Sequence, residues 1–203
     1  MVGKKQIQTA DSRRLTISWN VFFVFLYLYR AAYSALGDVV MTFTSIGDTE
    51  SYQNSEVNKV ARDFVAADPI SAITSLKNFE ASTFITDWIG AQFNTVFAGN
   101  TFLINCGFQT IGFIGIVYLL MSVPASARKT LSLFLMLPSY TLWTSIATKE
   151  SIVSFCVAIL SGYLIRQYYY GTRINILHTF AGVLLYIFKP HYLIAICYAW
   201  LAK

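Results

Sequence analysis

The apolar positions of this chain fall in long unbroken runs separated by short polar breaks. Residues 15–36 form a run of 22 with Arg30 as its one formal charge, and residues 101–123 carry no charge at all. As helix, at about 1.5 Å per residue, each run is long enough for a hydrocarbon core of roughly 30 Å. Two further runs follow the basic pair Arg128 and Lys129: residues 131–147, and residues 151–168 after a polar break at Thr148, Lys149 and Glu150. The last apolar stretch, 174–202, is divided by Lys189, Pro190 and His191. Its second piece, 192–202, reaches only about 17 Å and makes an incomplete crossing. The pattern predicts an all-α, polytopic helical membrane protein with about 5 to 6 transmembrane helices, at 15–36, 101–123, 131–147, 151–168, 174–188 and an unfinished 192–202. Residues 1–203 then form a single integral membrane domain.

Residues 37–100 break the pattern. Val57, Val60, Ala61, Phe64 and Val65 recur at helical spacing over 54–67, with Glu56, Arg62 and Asp63 away from them. Asp68 and Pro69 read as the N-cap and first residue of a second helix, with Ile70, Ile73 and Leu76 as its stripe. Ser82 is expected to cap a third, whose buried side is Phe84, Ile85, Trp88, Ile89 and Phe93. This segment reads as a helical extracytoplasmic loop that lies on the leaflet or packs over the ends of the spans.

Composition and charge support that division. With 56% hydrophobic and 12% charged residues, a soluble 203-residue chain would lack the polar surface to wrap itself. Eight of the ten carboxylates (Asp38, Asp48, Glu50, Glu56, Asp63, Asp68, Glu80 and Asp87) lie within 37–100, against only Lys59, Arg62 and Lys77. A cytoplasmic N-terminus puts Lys4, Lys5, Arg13, Arg14, Arg128, Lys129, Arg166 and Arg173 on the inner side, as the positive-inside rule requires. The expected location is the cytoplasmic (inner) membrane. The net charge of +5 belongs to loops facing anionic lipid and gives no reason to expect a nucleic-acid partner. A cleaved signal peptide is the competing reading of the first run, with small residues near Ala31 to Ala35; the length of the run, Arg30 and its many aromatics argue against it. Cys106, Cys156 and Cys197 all sit in apolar runs and read as small buried side chains, not a disulfide framework. No metal-type Cys/His spacing, phosphate-cradling glycine loop or internal repeat is present.

Candidate chemistry gathers at the polar breaks. Asp48 and Glu50 stand two residues apart just after the first span, where a carboxylate near low dielectric serves as general base or metal ligand; a solvated loop is the plainer alternative. At the turn before 151–168, Lys149 suits a phosphate and Glu150 suits the positive end of the following helix; a snorkelling turn is the alternative. Arg30 nears the outer boundary, where Asp38, Asp48 or an anionic lipid head would pair with it, or where it snorkels outward. Lys189 and His191 flank Pro190 on the same side, while His178 reads as a hydrogen-bonded packing residue, Pro138 as a kink and Trp143 as an interfacial ring. The topology thus assigns Asp48, Glu50, Arg30, Lys149, Lys189 and His191 to one membrane face. Acids beside bases at a lipid surface suit a phosphorylated amphiphile, with bases on the phosphate and an acid activating an incoming hydroxyl. Mutual salt bridging would produce the same set.

These residues carry a family resemblance. A first span followed by Gly47-Asp48-Thr49-Glu50-Ser51-Tyr52, a loop of short helices, and then Leu137-Pro138-Ser139-Tyr140-Thr141-Leu142-Trp143-Thr144-Ser145 running into Thr148-Lys149-Glu150-Ser151 resembles the polytopic glycosyltransferases of the GT-C superfamily and their bacterial relatives. Lys189-Pro190-His191-Tyr192 looks like a basic-proline element of such relatives. The resemblance implies transfer of a sugar from a polyprenyl-phosphate donor at the outer face. It implies Asp48 as base or metal ligand with Glu50 second, a divalent metal ion as the cofactor if one is used, and Lys149 at the donor phosphate. Arg30, Tyr52, Glu150, Lys189 and His191 would line the substrate. Superfamily members usually have more spans and often a soluble C-terminal domain, so the chain reads as an N-terminal part, a truncated frame, or a small relative needing a protein partner. A polysaccharide polymerase or ligase shares the layout. A non-enzymatic membrane protein whose outer helices bind a partner or lipid is the reading from another class; it predicts sensitivity at Trp88 and Phe64 and tolerance at Asp48 and Lys149.

Overall fold

A computed structural model describes the backbone of residues 3–43, 52–53 and 81–201, and the side chains of 19–40, 52–53 and 81–201. Asp48, Glu50 and the helices expected over 54–67 and 68–76 lie outside the described residues. Within them the chain is helical and has no strand: α1 (Gly3–Phe43), α2 (Ala81–Val96), α3 (Thr101–Ser122), α4 (Ala125–Leu135), α5 (Pro138–Trp143), α6 (Lys149–Tyr170), α7 (Ile176–Phe188) and α8 (Pro190–Leu201). Among the described residues three stretches are long and apolar enough to cross a membrane: Trp19–Val40 of α1, Thr101–Ser122 and Lys149–Tyr170. They are consistent with membrane insertion. The first lies about four residues later than the 15–36 expected from hydropathy, within a helix of 41 residues.

Helices α3 and α6 form the spine and run parallel. A Cβ at Gly115 would stand 2.7 Å from the Cα of Phe155, and one at Gly162 would stand 2.8 Å from the Tyr118 ring, so glycine lets the two helices approach closely. Helix α1 runs antiparallel to α3: Leu26 packs with Ile116 and Leu120, while Ser34, two turns on, donates to Gln109 at 3.0 Å. Helix α7 returns along α6, with His178 stacked on Tyr163 and Lys189 beside Glu150. Helix α8 then turns back, and Trp200 Nε1 donates to Gln167 at 2.8 Å. Trp19, Arg128 and Arg166 therefore share one end of the bundle, and Asn105, Lys149, Glu150 and Lys189 share the other.

His178 is the packing residue expected. Its Nδ1 accepts from the Asn175 N–H at 3.1 Å, closing a capping box at the start of α7, and its Nε2 meets the Tyr118 hydroxyl at 2.8 Å. Because Nδ1 accepts, the ring proton belongs on Nε2, which donates to Tyr118.

The run 131–147 corrects the hydropathy reading. It is not one helix: α4 begins at Ala125 and stops at Leu135, α5 is a six-residue helix opened by Pro138, and residues 144–148 are not helical. Proline has no N–H to give the preceding turn and its ring clashes there, so the helix ends before it. Helix α2 also departs from expectation. Ser82 lies inside the helix and does not cap it, and the face turned inward is Ser82, Thr86, Asp87, Gly90 and Ala91, with Ile85, Ile89 and Phe93 partly covered. Trp88, expected inside, is 39% exposed, because the small side chains let α2 sit close to the bundle while the large ring stays at its outer face.

Candidate functional site

The non-helical stretch 144–148 lies wholly in the interior, with every residue from Thr144 to Thr148 buried. Buried backbone without helix partners must find its hydrogen bonds elsewhere. Here it does so one group at a time. The Trp143 carbonyl accepts from Thr148 Oγ1 at 2.8 Å, the Thr144 carbonyl from Arg30 Nη2 at 2.8 Å, the Ser145 carbonyl from Ser34 Oγ, and the Ile146 carbonyl from Ser151 Oγ at 2.9 Å. The Ala147 N–H donates to Asn105 Oδ1 at 2.9 Å. At the earlier break, the Tyr29 hydroxyl donates to the Met136 carbonyl at 2.8 Å and Thr141 to the Leu135 carbonyl at 3.2 Å. Side chains from α1 and α3 thus substitute for the missing helix turn.

Arg30 is the charged member of this network. It is fully buried and does not snorkel, and no carboxylate pairs with it among the described residues, so the expected contact with Asp38 is not formed. Its Nη2 reaches both the carbonyl and the Oγ1 of Thr144, each at 2.8 Å, and its guanidinium lies 6.0 Å from the centre of the Tyr140 ring. Among the described residues, Nε and Nη1 have no hydrogen-bond partner, and neither does the buried hydroxyl of Ser145 next in sequence to Thr144. Arg30 sits at the level of the first turn of α6, since a Cβ on Gly112 would meet the Ser151 carbonyl at 3.2 Å and Arg30 Nη2 at 3.8 Å.

On the other side of the same wall runs a groove of about 810 Å³ between α4–α5, α6 and α8. Leu119, Leu135, Val153, Val157 and Ala158 make its walls apolar. Tyr140 and Thr144, the neighbours of Arg30, line it too, and the Tyr140 hydroxyl shares a 2.6 Å hydrogen bond with Ser154 Oγ. Glu150 and Tyr192 bring its polar end. Glu150 is 3.5 Å from Lys189 Nζ, both about a third exposed or more, and it occupies the first turn of α6, where the helix dipole favours an anion. A groove of this size and lining fits an alkyl or isoprenoid chain, with charged groups waiting where a headgroup would emerge.

The residues singled out from sequence divide accordingly. Glu150 and Lys189 meet directly. Lys149 turns to α2 and donates to Thr83 Oγ1 at 2.6 Å, and His191 is exposed, its ring tilted against that of Tyr192 with centroids 4.6 Å apart. Arg30 joins the groove through Tyr140 and Thr144. Tyr52 is buried in the apolar cluster with Ile104, Phe108 and Ile152, away from the groove lining. Among the described residues no group of three or more His, Cys, Asp or Glu side chains is placed to hold a metal ion, and Asp48 and Glu50, the ligands expected, lie outside them. The cysteines form no disulfide: Cys156 is buried, Cys106 partly so, and Cys197, expected inside, is exposed on α8. Sequence reading missed Ser34, Asn105 and Gln109, whose one signal was polar side chains inside otherwise apolar runs, and gave Thr144 and Ser145 no role beyond their place in the stretch that carries the resemblance.

Comparison with protein-family models, with curated proteins and with solved structures finds no match to this chain. The geometry alone carries the functional argument.

Proposed function

We propose that this chain is a polytopic integral membrane protein of the cytoplasmic membrane that acts on a phosphorylated lipid, in the manner of a polyprenyl-phosphate-dependent glycosyltransferase. In this reading the N-terminus is cytoplasmic, α4 with α5 makes a broken crossing, and α7 with α8 adds a further pair. One observation carries it: the apolar groove of about 810 Å³ ends at the Glu150–Lys189 pair, so that chain and headgroup chemistry meet in one place. The basic end of the bundle, with Arg128, Lys129, Arg166 and Arg173, supports the orientation.

In the transfer, an acceptor hydroxyl oxygen bonds to the sugar's anomeric carbon as the bond from that carbon to the phosphate oxygen breaks. The electron pair leaves with polyprenyl phosphate, and the hydroxyl proton passes to Asp48, with Glu50 as the second acid. Lys189, beside Glu150 at the end of the groove, offsets charge on the headgroup as the phosphate departs. A divalent ion, if used, would be held by Asp48 and Glu50.

The test uses the full chain in lipid nanodiscs with a synthetic polyprenyl-phosphate sugar, following release of polyprenyl phosphate by mass spectrometry. Asp48→Asn is expected to abolish turnover and Glu50→Gln to lower it, while Trp88→Ala retains it. The second reading rests on the exposed Trp88 of α2 as a docking ring for a partner or lipid. It predicts the reverse, with no turnover in any variant and with binding lost in Trp88→Ala.

A further inference from the structure

Arg30 is out of balance with its surroundings. A guanidinium carries five N–H donors, and here Nη2 alone is engaged, by Thr144, while Nε and Nη1 are buried without partners. Ionisable groups buried in membrane-type helices are costly and mark ligand paths by default, and each unmet buried donor adds to the cost. A purely structural role for holding the Thr144 carbonyl would be served by a neutral donor, as Ser34 serves the Ser145 carbonyl one residue on.

Two neighbouring features share the same sign. The Ser145 hydroxyl is buried and unpartnered. Helix α6 begins at Lys149, its N-cap residue Thr148 makes no side-chain capping bond, and its positive end, with Glu150 in the first turn, lies beside the same stretch of chain. Unfilled donors and a helix N-terminus at one place describe a site awaiting an anion. The available donors also select its shape. A planar carboxylate docks on a guanidinium through adjacent nitrogens, and both such pairs include Nη2, which Thr144 already occupies. Nε and Nη1 then offer single, coplanar N–H bonds on edges separated by Nη2, a geometry that takes one anion oxygen at a time and leaves no edge for bidentate docking.

We propose that Arg30, with Ser145, is the binding site for the phosphoryl group of the lipid whose chain lies in the groove. The inference rests on the lipid-handling reading above and names which residue selects the headgroup. The groove and the guanidinium are separated by a wall one residue thick, because Tyr140 and Thr144 line the first and contact the second. Release of the Tyr140–Ser154 hydrogen bond frees the Tyr140 ring to swing and admit the phosphate.

The experiment measures binding to the full chain in nanodiscs of three probes: a polyprenyl phosphate, the matching polyprenol, and inorganic phosphate. The wild type is expected to prefer the phosphate over the alcohol by about tenfold or more, and Arg30→Met to bind the two alike. Arg30→Met also takes the donor from the buried Thr144 carbonyl, so a lowered thermal midpoint is expected on either account and the lipid preference decides between them. A purely structural Arg30 predicts that the preference stays intact, and that result overturns the proposal. Should Arg30→Met not survive gel filtration, Ser145→Cys with the three native cysteines replaced decides the matter. Polyprenyl phosphate should protect that thiol from a small membrane-permeant reagent and polyprenol should not; equal protection overturns the proposal. Wild-type binding of both lipids with equal strength overturns this inference and leaves the groove reading standing, whereas binding of neither removes both. Arg30-dependent binding of inorganic phosphate without lipid preference assigns the site to a soluble anion and overturns its link to the groove.

Discussion

Asn105 is the residue on which the interior non-helical segment turns, and Asn105→Leu tests that directly. The substitution keeps the side chain's heavy-atom count and branching and removes the acceptor that meets the Ala147 N–H at 2.9 Å and the Gln53 amide at 2.8 Å, together with a longer donation to the Ser34 carbonyl at 3.4 Å. Ala147 is fully buried, so its N–H is left with no water to turn to. Leaving one such group unmet costs about 1–3 kcal/mol, and the added apolar burial of leucine offsets part of the remainder. A net loss of about 2 kcal/mol corresponds to roughly a 30-fold shift in the folding equilibrium. Reversible unfolding in detergent micelles gives the total. Hydrogen exchange read at the Ala147 amide gives the local part, expected to rise by the same factor if the segment opens with it. Gln53→Ala alone and in combination separates the side-chain contact from the backbone one, because the Gln53 share vanishes in the double variant. A loss under about 0.5 kcal/mol with unchanged exchange at Ala147 would show that Asn105 does not hold the segment, and the account of the fold would fail at its centre.

The spine offers a second test: Gly115→Val should cost several kcal/mol because even a Cβ meets the Phe155 backbone, whereas Gly182→Ala, with open space around it, should gain about 0.5–1 kcal/mol from helix propensity. Thermal unfolding of both reads the contrast, and equal effects would contradict the close packing of α3 on α6. The Glu150–Lys189 pair is partly exposed and should contribute no more than about 1 kcal/mol to stability. Lys189→Met is therefore expected to leave unfolding nearly unchanged while weakening polyprenyl-phosphate binding severalfold by titration; a large stability loss with unaltered binding would make the pair structural. His178→Ala removes both the capping-box acceptor and the partner of Tyr118, and should lower stability by about 1–3 kcal/mol with the loss concentrated in amide exchange of the first turn of α7.

Long apolar runs announced the three long helices because a 22-residue stretch with little charge has few alternatives to helix. Hydropathy placed the polar breaks at Lys149 and Lys189 correctly for the same reason: charged residues collect where helices end. It misjudged residues 131–147, since a window average treats Thr141, Thr144 and Ser145 as tolerable guests in a helix and sees neither Pro138 as a stop nor the hydroxyls as answers to unpaired carbonyls. It also turned Trp88 inward on the rule that large rings are buried, which holds for a helix in water and fails for one set against a bundle by Gly90 and Ala91. The groove was not legible at all, because Leu119, Val153 and Val157 are ordinary apolar residues whose shared cavity depends on where α5 ends.

The site and the broken helix have one cause. The Thr144 and Ser145 carbonyls are answered from α1, the Ala147 N–H from α3 and the Ile146 carbonyl from α6, so these four groups have no partners until those helices have come together. A local propensity cannot supply such a structure, and a continuous helix over 131–147 would satisfy the same backbone groups without help. The helix is refused by Pro138 on one side and disfavoured by the polar faces of α1 and α3 on the other, since Ser34 and Asn105 would lose the Ser145 carbonyl and the Ala147 N–H that they meet here. What the chain gains from this arrangement is position: it brings Arg30, with donors to spare, within one residue's thickness of an apolar groove, which no uninterrupted helix at that place would do.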